Sequence, residues 1–160
     1  MGVGGGGVNQ ADPVRHYAGW SRPVEASRGF RGVINMADPG AGQAVSWLGF
    51  NTPTVGSVPP RSWLQVGLNN NGHPYLEYQR PGEKSVYQQA AEAATKLLVQ
   101  VLSTKLGWQI SLNGKPWQTI KLPGLGQMFA GTELFDDSTA RMSVGNLNSF
   151  ENGRWVPFRH

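Results

Sequence analysis

An all-β fold of short antiparallel strands is what this sequence predicts, and three observations carry the prediction. The chain holds 22 Gly and 11 Pro against only 15% charged residues, a balance that suits turn-rich sheets better than a helical bundle. Apolar residues alternate with small or polar ones over short runs instead of recurring at helical spacing. Between those runs stand Asn-Gly and Pro-Gly pairs, where positive φ or the fixed φ of proline makes a tight turn. Eight or more such runs point to a sandwich or a barrel and away from parallel βαβ units.

The glycine-rich residues 2–10 bury too little apolar surface to offset their ordering, so residues 1–14 read as a flexible arm ahead of a single domain over 15–160. No GKS or GKT follows these glycines and no strand precedes them, so they do not form a phosphate loop. Residues 30–36 (FRGVINM) are the next strand, ended by Asp38-Pro39-Gly40. A strand over 44–51 stops before Pro53, and 56–61, with two prolines, is a loop. Residues 63–68 and 75–79 (YLEYQ) are partners across Asn69-Asn70-Asn71-Gly72, closed by Arg80-Pro81-Gly82. The alanine-rich 85–95 (SVYQQAAEAAT) reads as one short helix leading into a strand over 96–103. The plainest hairpin pairs 108–112 (WQISL) with 117–122 (WQTIKL) across Asn113-Gly114. After a loop over 123–127, strands at 129–135, 141–147 and 154–158 complete the chain.

At 160 residues the chain can bury about two thirds of its unfolded surface, enough for one sizeable core. With no cysteine it has no disulfide, thiolate metal site or cysteine nucleophile. The net charge of +4 is spread along the sequence without a basic run, which argues against a nucleic-acid partner. No apolar stretch approaches the roughly 20 residues of a membrane span. The start lacks the basic region and apolar core of a signal peptide, so an extracellular location is expected only if a leader has been removed.

One residue stands out chemically. Gln65 sits inside the apolar run WLQVGL, and a buried amide without partners costs about 1–3 kcal/mol, so it joins a hydrogen-bond network or faces a wet cleft. Serine catalysis has little support, because only His16, His73 and His160 could act as base and no serine lies in a G-x-S-x-G elbow. Metal spacing is absent too, and no cofactor is expected; Asp136-Asp137 reads as a polar turn. Carboxylates offer more: strand parity puts Glu77 on one face with Tyr75 and Gln79, while Glu133 stands where a strand enters apolar packing.

The order HYAGW, GVINM, SWLGF, WLQVGL, YLEYQ, WQISLNG, GTELF and RWVPF resembles the glutamic peptidases (eqolisins), nearest in look to their bacterial branch. The resemblance implies a two-sheet antiparallel β-sandwich, a concanavalin A-like jelly roll, that hydrolyses peptide bonds with a Gln and Glu dyad. The family's L-Q-x-G strand looks like Leu64 to Gly67 and its A-E-W strand like Thr132-Glu133-Leu134, which gives Gln65 and Glu133 the dyad positions. Trp47 and Asn51 match the W-x-G-x-D strand, with Asn51 in place of the acid, and Glu77 falls near an acidic residue bordering the cleft; these three are the expected substrate-binding residues. The implied partner is a polypeptide, cleaved best in acid. Two alternatives remain open: a glycan partner stacked on one of Trp20, Trp63, Trp108, Trp117 or Trp155, and a structural role with the arm as tether.

Overall fold

The computed structural model describes residues 15–23, 27–51, 62–122, 127–135 and 137–157. The described residues hold twelve strands in two six-stranded antiparallel sheets. The first sheet has the order β1 (Arg15–Pro23), β10 (Gln127–Phe135), β3 (Ala44–Asn51), β4 (Trp63–Asn69), β5 (Pro74–Gln79), β6 (Val86–Gln89). The second runs β12 (Arg154–Pro157), β11 (Arg141–Glu151), β2 (Gly29–Asp38), β7 (Lys96–Thr104), β8 (Gly107–Leu112), β9 (Lys115–Ile120). The expected arm at 1–14, the loop at 56–61 and most of the loop at 123–127 lie outside the described residues, as does Phe158.

Period-two alternation builds the core between the sheets. Leu48, Phe50, Leu64, Val66, Leu76 and Tyr78, one parity of β3 to β5, face inward and are buried. Opposite them lie Phe30, Ile34, Val99 and Ile110 of the second sheet. Aromatic rings lock the layers together: Phe50 meets Phe30 edge-on at 5.8 Å and Trp108 at 4.8 Å between centroids.

The hairpin at Asn113-Gly114 forms as its sequence requires, with φ of 51° and 83° at the two turn residues. It is also anchored sideways. The Asn113 side-chain oxygen accepts from the Leu98 amide at 2.7 Å, and the Asn113 amide donates to the Leu98 carbonyl at 2.9 Å. Asn152-Gly153, with φ of 52° and 79°, turns β11 into β12 in the same way. β11 runs past the expected 141–147 to Glu151, because an irregularity between Gly145 and Asn148, with Asn146 at φ 52°, lets the strand resume pairing with β2.

The expected helix at 85–95 is absent. Its first half is β6, paired with β5 and closing the sheet edge, and its second half is extended and bent. A stretch this short is marginal as an isolated helix, and its alanines offer no apolar stripe to pack. The sheet offers more: the Ala90 and Ala94 amides donate to the carbonyls of Pro74 (2.8 Å) and Gly72 (2.7 Å), and Tyr87 stacks on Tyr75. No helix among the described residues is long and apolar enough to cross a membrane.

Candidate active site on the outer face of the first sheet

The parity that fills the core leaves the alternate residues of β3, β4, β5 and β10 on the face turned away from the second sheet. Register arranges them in rows. One row runs Phe129, Gly49, Gln65, Glu77, Tyr87, and the next Gly131, Trp47, Gly67, Tyr75, Gln89. A third row holds Glu133, Val45 and Asn69, and Asn51 lies at the opposite end beside Trp63. All five candidate residues therefore share one face.

Glycines let aromatic rings lie flat on that face. A β-carbon at Gly67 would stand 2.5 Å from Cε1 of Tyr75, and one at Gly49 would stand 2.8 Å from Cζ of Phe129. Each ring thus crosses a neighbouring strand where no side chain rises. Trp47, Tyr75 and Phe129 pack into a small apolar cluster with Val45, separate from the main core.

Gln65 is set into this cluster and only 6% exposed. Its Nε2 donates to the Tyr75 hydroxyl at 2.5 Å, while its buried Oε1 has no hydrogen-bond partner among the described residues. Such an orphaned acceptor is rare in folded proteins and costs about 1–3 kcal/mol. Tyr75 is stacked on Tyr87 at 5.5 Å, and Tyr87 accepts from Asn69 Nδ2 at 3.0 Å. Burial drives the Tyr75 phenol far above its usual range; the Gln65 hydrogen bond opposes this, while the charges of Glu77, Tyr87 and Glu133 add to it. Tyr75 is therefore a neutral phenol at any physiological pH. Burial also raises the pKa of Glu77.

The register sorts the two carboxylates. Glu77 stands directly across the ladder from Gln65. Glu133, only 4% exposed, lies beyond the Trp47 and Tyr75 row, two strands over and four residues farther along β10 than Phe129. That is roughly 13 Å along the strands and 10 Å across them between backbones. Its carboxylate nonetheless acts electrostatically on Tyr75, the residue that binds Gln65. Trp47 is buried in the floor beside them, and Asn51 is half-buried at the strand end.

Sequence reasoning missed Tyr75 and Tyr87. The Asn-Gly turn after β4 pairs Gly67 with Tyr75, the glycine-beside-aromatic arrangement that lays a ring across a strand. Tyr87 was hidden by the helical reading of its segment.

No family model matches the chain, and no curated protein matches it. Solved structures do match in shape. A tetrameric galectin from Cinachyrella sp., a ball sponge, has a TM-score of 0.56 at 18% identity over 83% of this chain and 99% of its own. Bacillus licheniformis β-glucanase has a TM-score of 0.58 at 10% identity, over 82% and 68%. Scytalido-glutamic peptidase with a transition state analog inhibitor has 0.56 at 11%, over 88% and 82%. The fold is a concanavalin A-like sandwich. Identities this low show that fold and nothing finer, and a galectin, a glucanase and a peptidase share it, so the chemistry has to be argued from the residues on the outer face.

Proposed function

We propose that this concanavalin A-like sandwich is a hydrolase of the glutamic-peptidase kind, acting on polypeptides through Gln65 and a carboxylate of the same sheet face. The observation that carries the reading is the Gln65 amide, buried with its oxygen unsatisfied among the described residues and with two glutamates on its face. A side-chain amide has two N–H donors and an acceptor oxygen. Tyr75 engages one N–H, which leaves the second for a developing oxyanion and the oxygen for the attacking water.

The resemblance assigns the general base to Glu133, whose backbone stands roughly 16 Å from that of Gln65, so the two side chains have to reach toward each other across the Trp47 row to share one water. The Glu133 carboxylate takes a proton from water as the water oxygen bonds to the scissile carbonyl carbon; the proton then passes to the leaving nitrogen as the C–N bond breaks. Shielding from bulk water strengthens such contacts. Gln65 and Glu133 are nearly fully buried, so a peptide reaches them only if surrounding side chains move.

The register favours one variation, in which Glu77, facing Gln65 directly, is the base. A two-carboxylate glycosidase suits the face less well. Glu77 and Glu133 are one strand farther apart than Gln65 and Glu133, three strands across and two rows along, whereas a glycosidase pair holds its carboxyl groups within about 5–9.5 Å.

The test is cleavage of an unfolded protein substrate between pH 3 and 7 by wild type, Gln65→Ala, Glu133→Gln and Glu77→Gln. Gln65→Ala is expected to lose about 10²–10³-fold in rate, the effect of removing one oxyanion donor. The glutamate whose variant is silent is the base. Equal residual cleavage in all four proteins sinks the reading.

A further inference from the structure

At one end of the sandwich, away from the Gln65 row, lies a wide, open cavity of about 510 Å³ at the surface. Arg80, just past β5 of the first sheet, forms one side. The β7 to β8 turn, with Ser103 and Lys105, and Lys121 after β9 form the other. Three cations line it and, among the described residues, no carboxylate does. Among the described residues, none of the three is paired with an acid.

Arg80 is held in place. Its Nε donates to the Lys121 carbonyl at 3.1 Å, and its guanidinium carbon lies 5.1 Å from the centroid of the Tyr78 ring. These contacts fix the plane of the group and leave its two Nη nitrogens as donors, the fork that suits an oxyanion. The Thr104 hydroxyl is already used in the turn, donating to the Gly107 carbonyl at 2.8 Å and accepting from the Leu106 amide at 3.2 Å. Ser103 makes no such bond among the described residues and can donate its hydroxyl.

Three like charges around one concavity repel one another, and a bound anion relieves that repulsion. We infer that this cavity binds a tetrahedral oxyanion, sulfate or phosphate, free or carried on a small sugar. The site is separate from the outer face, so it stands or falls independently of the peptidase reading.

The full chain is titrated with inorganic sulfate, inorganic phosphate and glucose 6-sulfate, with ionic strength held constant by chloride, and followed by amide NMR shifts. The expected result is saturable one-site binding, with shifts concentrated at residues 80, 103–107 and 121. Arg80→Gln and Lys121→Gln should each weaken it about ten-fold, the size of one charge-assisted hydrogen bond. Lys96→Gln, of equal charge change at the far end of β7, should leave it unaltered. Thermal melting checks that each variant is folded. Tighter binding of glucose 6-sulfate than of sulfate makes the natural ligand sugar-borne, and weaker binding makes it the free ion. Shifts that rise linearly without saturation, or that fall equally in Lys96→Gln, overturn the inference.

Discussion

At the scale of single residues, Gln65 and Tyr75 form a coupled polar pair inside an apolar cluster, and the coupling can be measured. Tyr75→Phe removes the acceptor of the Gln65 amide and leaves both of its ends unsatisfied, which should destabilise the protein by about 1–3 kcal/mol in urea unfolding. Replacing both partners at once, Gln65→Leu with Tyr75→Phe, should recover most of that loss, because no buried polar group is then abandoned. Additive losses in the double variant would show that the two do not interact. Glu77 supplies a pH signature. Its folded-state pKa lies above the unfolded value of 4.5, so the folded state holds the proton more tightly, and stability is greatest below pH 4.5 and lost as pH rises through the folded pKa. Glu77→Gln removes that loss. The variant's melting temperature should gain on wild type as pH rises from 4 to 8, and a gap that does not vary with pH would count against burial as the cause. Gln65 was legible in the sequence as an anomaly because an amide in an apolar run is visible from residue types alone. Its partner was not, because a cross-strand neighbour depends on register.

At the scale of elements, the strands that were read correctly carry their own punctuation. Residues 44–51 match β3 because alternation and a following proline mark both ends, and Asn113-Gly114 names its turn through the positive φ both residues tolerate. The segment at 85–95 failed because alanine propensity is a weak local preference, overridden here by an open sheet edge and a tyrosine stack. Glycines in strand interiors are the other element-scale device. A β-carbon at Gly67 would meet the Ser46 carbonyl oxygen at 2.5 Å as well as the Tyr75 ring, so both the ladder and the ring would have to move. Gly67→Ala should cost about 1–3 kcal/mol in urea unfolding and alter the near-ultraviolet circular dichroism of the tyrosines. An unchanged signal would mean that the ring does not lie across β4.

At the scale of the whole molecule, the class of fold was readable and the sheet order was not. β1 pairs with β10 and β2 with β11, contacts between opposite ends of the chain that no local pattern encodes. The same scale bears on the uses to which a concanavalin A-like sandwich can be put. A sugar-binding version needs an aromatic face open to stack on a ring, and each tryptophan whose side chain is described is engaged by neighbouring groups of the protein. Trp108 is in the core, and Trp117 packs against it while half-buried on the wall of a pocket shared with Ala90 and Leu112. Trp155 is covered by the Arg31 guanidinium at 4.4 Å and flanked by Phe150 at 5.0 Å, while Trp63 is tied by its Nε1 to Gln79 at 2.9 Å. Adding lactose or a β-glucan oligosaccharide at millimolar concentration should therefore leave the tryptophan fluorescence of the full chain unchanged in intensity and wavelength. A saturable change would place a sugar on one of these rings; if Arg31→Ala enhanced it, Trp155 would be the platform, uncovered by loss of its guanidinium.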